Sequence, residues 1–377
     1  MRRRIIWLFV VLSIFFSPLC VSAEENIGIP DAEWNGFVDS VPPEAEEYFD
    51  LGSLSEQKNF SDSVEKMTEP SYIANVILEL TGVELESSYK LLLLVAGILI
   101  ISAVLNTVAG QSESAALKSV MRFCSLGAIF CSVGYIFYSH FSRLEIFFER
   151  IAVFINGMIP VTASIWALGG NVTTATAGSA TLYCFLNVFE KLWAASAIPI
   201  SALLIMLGFC DVLCTELKTG RIVGTVKKIY GFFLGLTMTV LLSALAAQTT
   251  LTAAADSVTA RTGRLVTNTV IPIVGGNLGE ALRTVASSVV YLKGIFGIGG
   301  IIIIALLTLP MVLSIILTRF VFSVCSAFAD IIGCGEEAKL LASFSDAYGS
   351  MLAVVVGVGM MFVLALCIFI KTVVAVA

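Results

Sequence analysis

Apolar residues along this chain gather into blocks of membrane-spanning length, separated by short polar or basic stretches. Leu91–Val108, Phe123–Tyr138, Trp193–Cys214, Ile229–Ala247, Ile295–Phe320 and Met351–Ile370 each read as one crossing, since a helix needs about 20 apolar residues to span hydrocarbon. Between blocks the pattern turns periodic. Leu144, Phe147, Phe148, Ile151, Phe154 and Ile155 share one helical face, with Arg143, Glu145, Glu149 and Arg150 off it. Such a segment predicts an amphipathic helix lying in the interface. Leu251, Ala254, Ala255, Val258 and Leu265 opposite Asp256 and Arg264 predict a second one.

After each periodic segment comes an interruption that an unbroken helix does not tolerate. The first is Asn156-Gly-Met-Ile-Pro-Val161, followed by Gly169, Gly170 and Asn171. The second is Asn268-Thr-Val-Ile-Pro-Ile-Val-Gly-Gly-Asn277, with Pro272, Gly275 and Gly276 inside it. Both carry Asn-x-x-Ile-Pro. Beyond Pro70 the chain holds four prolines, Pro160, Pro199, Pro272 and Pro310, and they fall into two pairs of nearly equal spacing. That register predicts an internal duplication with units of about 112–215 and 217–325. Each unit runs basic loop, outward span, amphipathic helix, break, small or semi-polar arm, Pro-bearing inward span. The units are therefore parallel, and both breaks fall on the side away from the basic loops. Paired broken segments are the usual sequence pointer to a working site in a membrane protein. The candidate path-lining or gating residues are thus Asn156, Pro160, Gly169, Gly170, Asn171, Asn268, Pro272, Gly275, Gly276 and Asn277. Read as re-entrant tips, the breaks leave six firm spans. Read as full crossings, 151–170 and 172–189 raise the number to eight.

Composition agrees with an all-α, polytopic membrane protein: 58% hydrophobic, 13% charged, mean hydropathy +0.95. The net charge of −6 is unevenly spread. Residues 24–90 carry 16 acidic side chains against Lys58, Lys66 and Lys90, whereas the rest is mildly basic. Arg2-Arg3-Arg4, the apolar Ile5–Phe16 and Val21-Ser22-Ala23 predict a signal peptide over 1–23. It would carry 24–90 out of the cytoplasm as an acidic arm, a docking segment for a partner or a solvated tail. Residues 91–377 form the membrane domain. Lys118, Arg122, Lys218, Arg221, Lys227 and Lys228 mark its cytoplasmic side.

Candidate chemistry is thin. His140 is the sole histidine, at a span end, and reads as interfacial rather than catalytic; no Ser/His/Asp or Cys/His relay can be assembled without assigning it every role. Phosphate-loop and HExxH patterns are absent from the sequence, and its cysteines show no CxxC. No enzyme, cofactor, metal or nucleic-acid role is expected, and no small-molecule ligand is indicated. Glu190-Lys191 stand beside a span and could pair with each other. Asp330, Glu336 and Glu337 are expected in a cytoplasmic loop. Gly294, Gly297, Gly299 and Gly300, with Gly231-x-x-x-Gly235, predict close helix packing.

The order of features, namely a cleavable signal, an acidic outer segment and a polytopic body carrying Ile271-Pro-Ile-Val-Gly-Gly276 and Asn156-Gly-Met-Ile-Pro160, resembles the stage III sporulation protein AE family of endospore formers. The resemblance implies the mother-cell membrane around the forespore. It also implies a non-enzymatic place in a channel or secretion-like complex bridging two membranes, with other sporulation membrane proteins as partners. A stand-alone permease with its site between the two breaks is the alternative. An intramembrane enzyme is disfavoured by the lone His140.

Overall fold

The structure, a computed structural model, describes residues 29–42, 57–110, 115–213, 220–270 and 275–371, with 258–270 and 275–285 described as backbone. The expected signal peptide, Glu44–Glu47 and Pro272 lie outside these residues. Two short helices come first, α1 (Asp31–Val38) and α2 (Gln57–Met67). Six long ones follow: α3 (Pro70–Gly110), α4 (Ala115–Leu168), α5 (Ser179–Leu213), α6 (Gly220–Val270), α7 (Gly275–Ile331) and α8 (Gly335–Lys371). A π turn, Thr174–Gly178, precedes α5. Among the described residues there is no strand. All six long helices are long and apolar enough to cross a membrane.

Charge placement shows where a bilayer fits. Each long helix contains a stretch without a charged side chain at matching height: 91–112, 123–142, 192–210, 229–255, 294–318 and 347–370; a further uncharged run, 151–189, spans the end of α4, the turn after it and the start of α5. At 1.5 Å per residue each of the six covers about 30–40 Å, matching a hydrocarbon core of about 30 Å. The helices alternate in direction, so the stretches lie side by side. At one end Arg122 of α4 donates to the Val212 carbonyl of α5 at 2.6 Å and pairs with Glu336 of α8. Asn106 of α3 reaches Glu337 there at 3.3 Å. The α3–α4, α5–α6 and α7–α8 connections therefore share this end, the basic-loop face. The opposite end, the arm face, carries α1 and α2.

The core of the bundle is α8. It runs antiparallel to α7, with Gly297 against Ile370, Gly300 against Leu366 and Gly359 against Thr308. It also runs antiparallel to α5, with Trp193 lying on Gly357 and Ser343 on Gly208. Lipid is as apolar as a leucine side chain, so such close fit is what associates helices in a bilayer. The glycines expected to serve packing divide. Gly299 makes room for Phe60 and Val64, whereas Gly294, Gly231 and Gly235 face open space.

The amphipathic stretch 144–155 is no separate interfacial helix. It continues the 123–138 span inside α4 without a turn, as a helix that would be about 80 Å long if straight. Leu144, Phe147, Phe148, Ile151, Phe154 and Ile155 are all buried. Protein, rather than a lipid interface, covers the apolar face. Part of that cover is the arm. Trp34, Phe37, Phe60, Phe154 and Phe296 form an aromatic cluster with centroids 5.3–6.0 Å apart, joining α1, α2, α4 and α7. Ser40 lies on Gly157, and Ser164 donates to Glu33. The described parts of the acidic arm are thus helical and docked.

Truncating a buried aromatic costs about 3–5 kcal/mol. Phe37→Ala is expected to release α1 and make the arm sensitive to limited proteolysis, with the bundle's thermal unfolding in detergent little changed. An arm that stays protected would show that the cluster does not hold it.

Candidate functional site

The first break resolves into a corner between α4 and α5. Pro160 sits inside α4, and the helix passes it and ends at Leu168. The chain then turns through Gly169–Gly170–Asn171. Gly170 has φ 75°, a left-handed conformation that costs other residues about 1–2 kcal/mol. Its N–H bonds the Ala167 carbonyl, and that of Asn171 bonds the Trp166 carbonyl, both at 3.0 Å. This pairing is a Schellman cap, which satisfies the last carbonyls of the helix. Asn171 is buried, and its carbonyl accepts the Ala175 N–H at 2.8 Å.

Beyond the corner, Asp256 of α6 fastens the new helical start. Its carboxylate accepts from the N–H groups of Thr173 (2.8 Å) and Thr174 (3.2 Å) and from the Thr174 hydroxyl (2.6 Å). An acid at a helix start complements the dipole as well as the free donors. One helical face further along α6, Gln248 donates to the Gly178 carbonyl in the π turn. Two buried polar atoms in this region, Trp166 Nε1 and Gln248 Oε1, make no hydrogen bond. Such atoms are rare in native structures and call for an explanation.

The ten expected residues are only partly brought together. Gly169, Gly170 and Asn171 make the corner. Asn156 lies three turns earlier on an exposed face of α4, where it accepts from Asn187 of α5 at 3.1 Å. Asn268 lies in the last turn of α6, and Gly275, Gly276 and Asn277 open α7, in both cases as backbone. Asp256 and Gln248 carry no local sequence signal, because their partners are 70 to 83 residues away.

A second polar site closes the basic-loop face. Gly333, at φ 81°, makes the α7–α8 turn so short that Glu336 and Glu337 fall in the first turn of α8 rather than in a loop. Glu337 is buried and accepts from Ser125 at 2.5 Å and Asn106 at 3.3 Å, while Ser125 meets Ser102 at 2.6 Å. With the Arg122 contacts, four helices are tied here. A cleft of about 290 Å³ opens beside them, lined by Asn106, Lys118, Arg122, Gly333, Gly335, Glu336 and Glu337. Burial and the Glu337 carboxylate push the Cys334 thiol up, against the opposing hydrogen bond from Asn106. A thiol held neutral is a poor nucleophile.

His140 is buried rather than interfacial. Its Nδ1 meets the Tyr348 hydroxyl at 2.5 Å, and its Nε2 meets Ser314 Oγ at 3.4 Å. A neutral phenol stands where a hydrolytic relay would place a carboxylate, and all three side chains are buried. The group reads as a polar tie between α4, α7 and α8. Glu190 is buried while Lys191 is exposed, and among the described residues no ion pair joins them.

Asp256→Ala strands two N–H groups at the corner, each worth about 1–3 kcal/mol if left unsatisfied. The variant is expected to unfold at a lower temperature in detergent, with Asp256→Asn in between. Unchanged unfolding in both would show that the corner does not depend on this cap.

Comparison with known proteins gives the chain its relatives. The family model described as stage III sporulation protein AE matches residues 54–373. Stage III sporulation protein AE of Bacillus subtilis (strain 168) is 23% identical over 222 residues, covering 59% of this chain and 56% of that protein. The match thus spans little more than half the relative's length. No solved structure matches. With the family model running from α2 to the end of α8, this chain, with six described helices long and apolar enough to cross a membrane, belongs to the stage III sporulation protein AE family.

Proposed function

We propose that this chain is a non-enzymatic, multi-pass component of a transenvelope channel or secretion-like complex of sporulation, seated in the mother-cell membrane around the forespore. Family membership over nearly the whole described chain carries this reading. The local chemistry agrees with it. The buried polar groups at His140, Glu337 and Asp256 are engaged in tying helices together.

Orientation follows from charge. Lys118, Arg122, Arg221, Lys227, Lys228 and Lys339 gather at the basic-loop face, which the positive-inside rule assigns to the cytoplasm. The docked acidic arm and the corner at Gly169–Asn171 then face the space between the membranes. In this reading α4–α5 and α6–α7 are the two repeat units. Each pairs an outward helix with an inward helix that holds Pro199 or Pro310. The two broken elements line or gate a path, or seat ring-forming partners. The unbonded Trp166 Nε1 and Gln248 Oε1 favour a second reading, a self-sufficient permease with a polar guest at the corner.

Deleting the encoding gene is expected to leave vegetative growth normal while forespores arrest after engulfment, scored by microscopy and spore yield. Unaffected yield would remove the sporulation role. Co-purification of other sporulation membrane proteins supports the complex, whereas solute-dependent stabilisation of the isolated chain supports the permease. For orientation, with the chain expressed in the cell membrane of vegetative cells, Leu78→Cys is expected to react with an impermeant maleimide on intact protoplasts, and Lys118→Cys after permeabilisation alone. The reverse pattern would invert the topology.

A further inference from the structure

The first five turns of α3 lie beyond its charge-free stretch, on the arm face. There Ala74, Leu78, Gly82, Leu85 and Tyr89 recur three or four residues apart, so they form one stripe along the helix. Every one is exposed, Leu78 by 70%, Leu85 by 49% and Tyr89 by 62%. The stripe is not the face that α3 uses for the fold, since Val76, Ser88, Leu91 and Val95 are the buried positions. A side chain added at Gly82 would meet nothing within 4 Å, leaving a notch midway between Leu78 and Leu85. Glu79 and Glu86 border the stripe, both exposed, and Lys90 offsets Glu86 through a solvent-exposed pair. From Ala74 to Tyr89 the stripe is about 23 Å long, the length of four helical turns.

Three occupants compete for an apolar stripe of this kind. Membrane lipid fits poorly, because Leu78 stands about 18 Å above Lys90 along the helix axis and anionic headgroups repel the bordering carboxylates. A second copy of this chain fits poorly too, since a two-fold contact would set Glu79 and Glu86 against their own equivalents. The acidic edge and the apolar stripe together match a cationic amphipathic helix, laid along α3 with a large side chain in the notch.

We propose that the 70–90 segment of α3 is a docking site for a basic amphipathic helix of a partner protein in the extracytoplasmic space. The inference deepens the proposed function and rests on it only for the side of the membrane. The binding measurement needs no sporulation phenotype, so failure of one does not entail failure of the other.

The test uses the full chain in nanodiscs of neutral phospholipid. The probe is a fluorescent amphipathic peptide of leucine and lysine, about 18 residues or roughly 27 Å long, with a leucine–glutamate peptide as its control. The lysine peptide is expected to raise anisotropy saturably, with affinity that falls as salt rises. L78S/L85S is expected to weaken it by about tenfold or more, as loss of central apolar anchors does. E79K/E86K is expected to shift preference towards the glutamate peptide. All these side chains are exposed, so unchanged thermal unfolding verifies folding of each variant. Equal binding of both peptides, or wild-type affinity in L78S/L85S, overturns the proposal. So does copy-to-copy disulfide formation at Leu78→Cys, which would make the occupant a second chain. Quenching of a probe at Leu78→Cys by nitroxide lipid would make it the membrane.

Discussion

Hydrocarbon offers no partner to a backbone N–H or C=O, and almost none to a charge. The whole molecule follows from that constraint. Six helices satisfy their own backbones across one slab, and six charge-free stretches of similar length coincide there. Within the slab hydrophobic burial gives no net attraction between helices, so association rests on close fit. This is why the seams of α8 are marked by Gly297, Gly300 and Gly359 towards α7 and by Gly357 and Gly208 towards α5. Polar pairs in the interior are few and shared between helices, as with His140, Tyr348 and Ser314.

Outside the slab the rules change, and so does the structure. The helices continue well beyond bilayer thickness, and their exposed lengths must be covered by other means. On the arm face the cover is protein, with Trp34, Phe37 and Phe60 laid against Phe154 and Phe296. On the basic-loop face it is charge pairing, with Arg122 joining α4, α5 and α8 around a short glycine turn. The two ends are thus built from different chemistry. An acidic, aromatic-stapled surface suits association with other ectodomains, and a basic rim suits the cytoplasmic leaflet.

A composition this apolar and its long uncharged runs leave a helical bundle in a membrane as the single economical solution, so the class of fold and six of its crossings were legible along the chain. Local chemistry also marked the first corner, because Gly169-Gly170-Asn171 is where a helix must stop. The family was legible too, in short strings around Pro160 and Pro272. Tertiary structure decided the rest. Residues 144–155 have the periodicity of an interfacial helix, yet the arm and α7 supply the apolar surface they need, and the helix runs straight on from its span. Pro160 does not break α4, because a single missing N–H is tolerable within a long helix whose neighbours hold it. Asp256 became the cap of a helix start 82 residues earlier, and Glu337 became the buried acceptor for α3 and α4. Periodicity reports which face of a helix is apolar; only the packed chain determines whether lipid, water or another part of the protein covers that face.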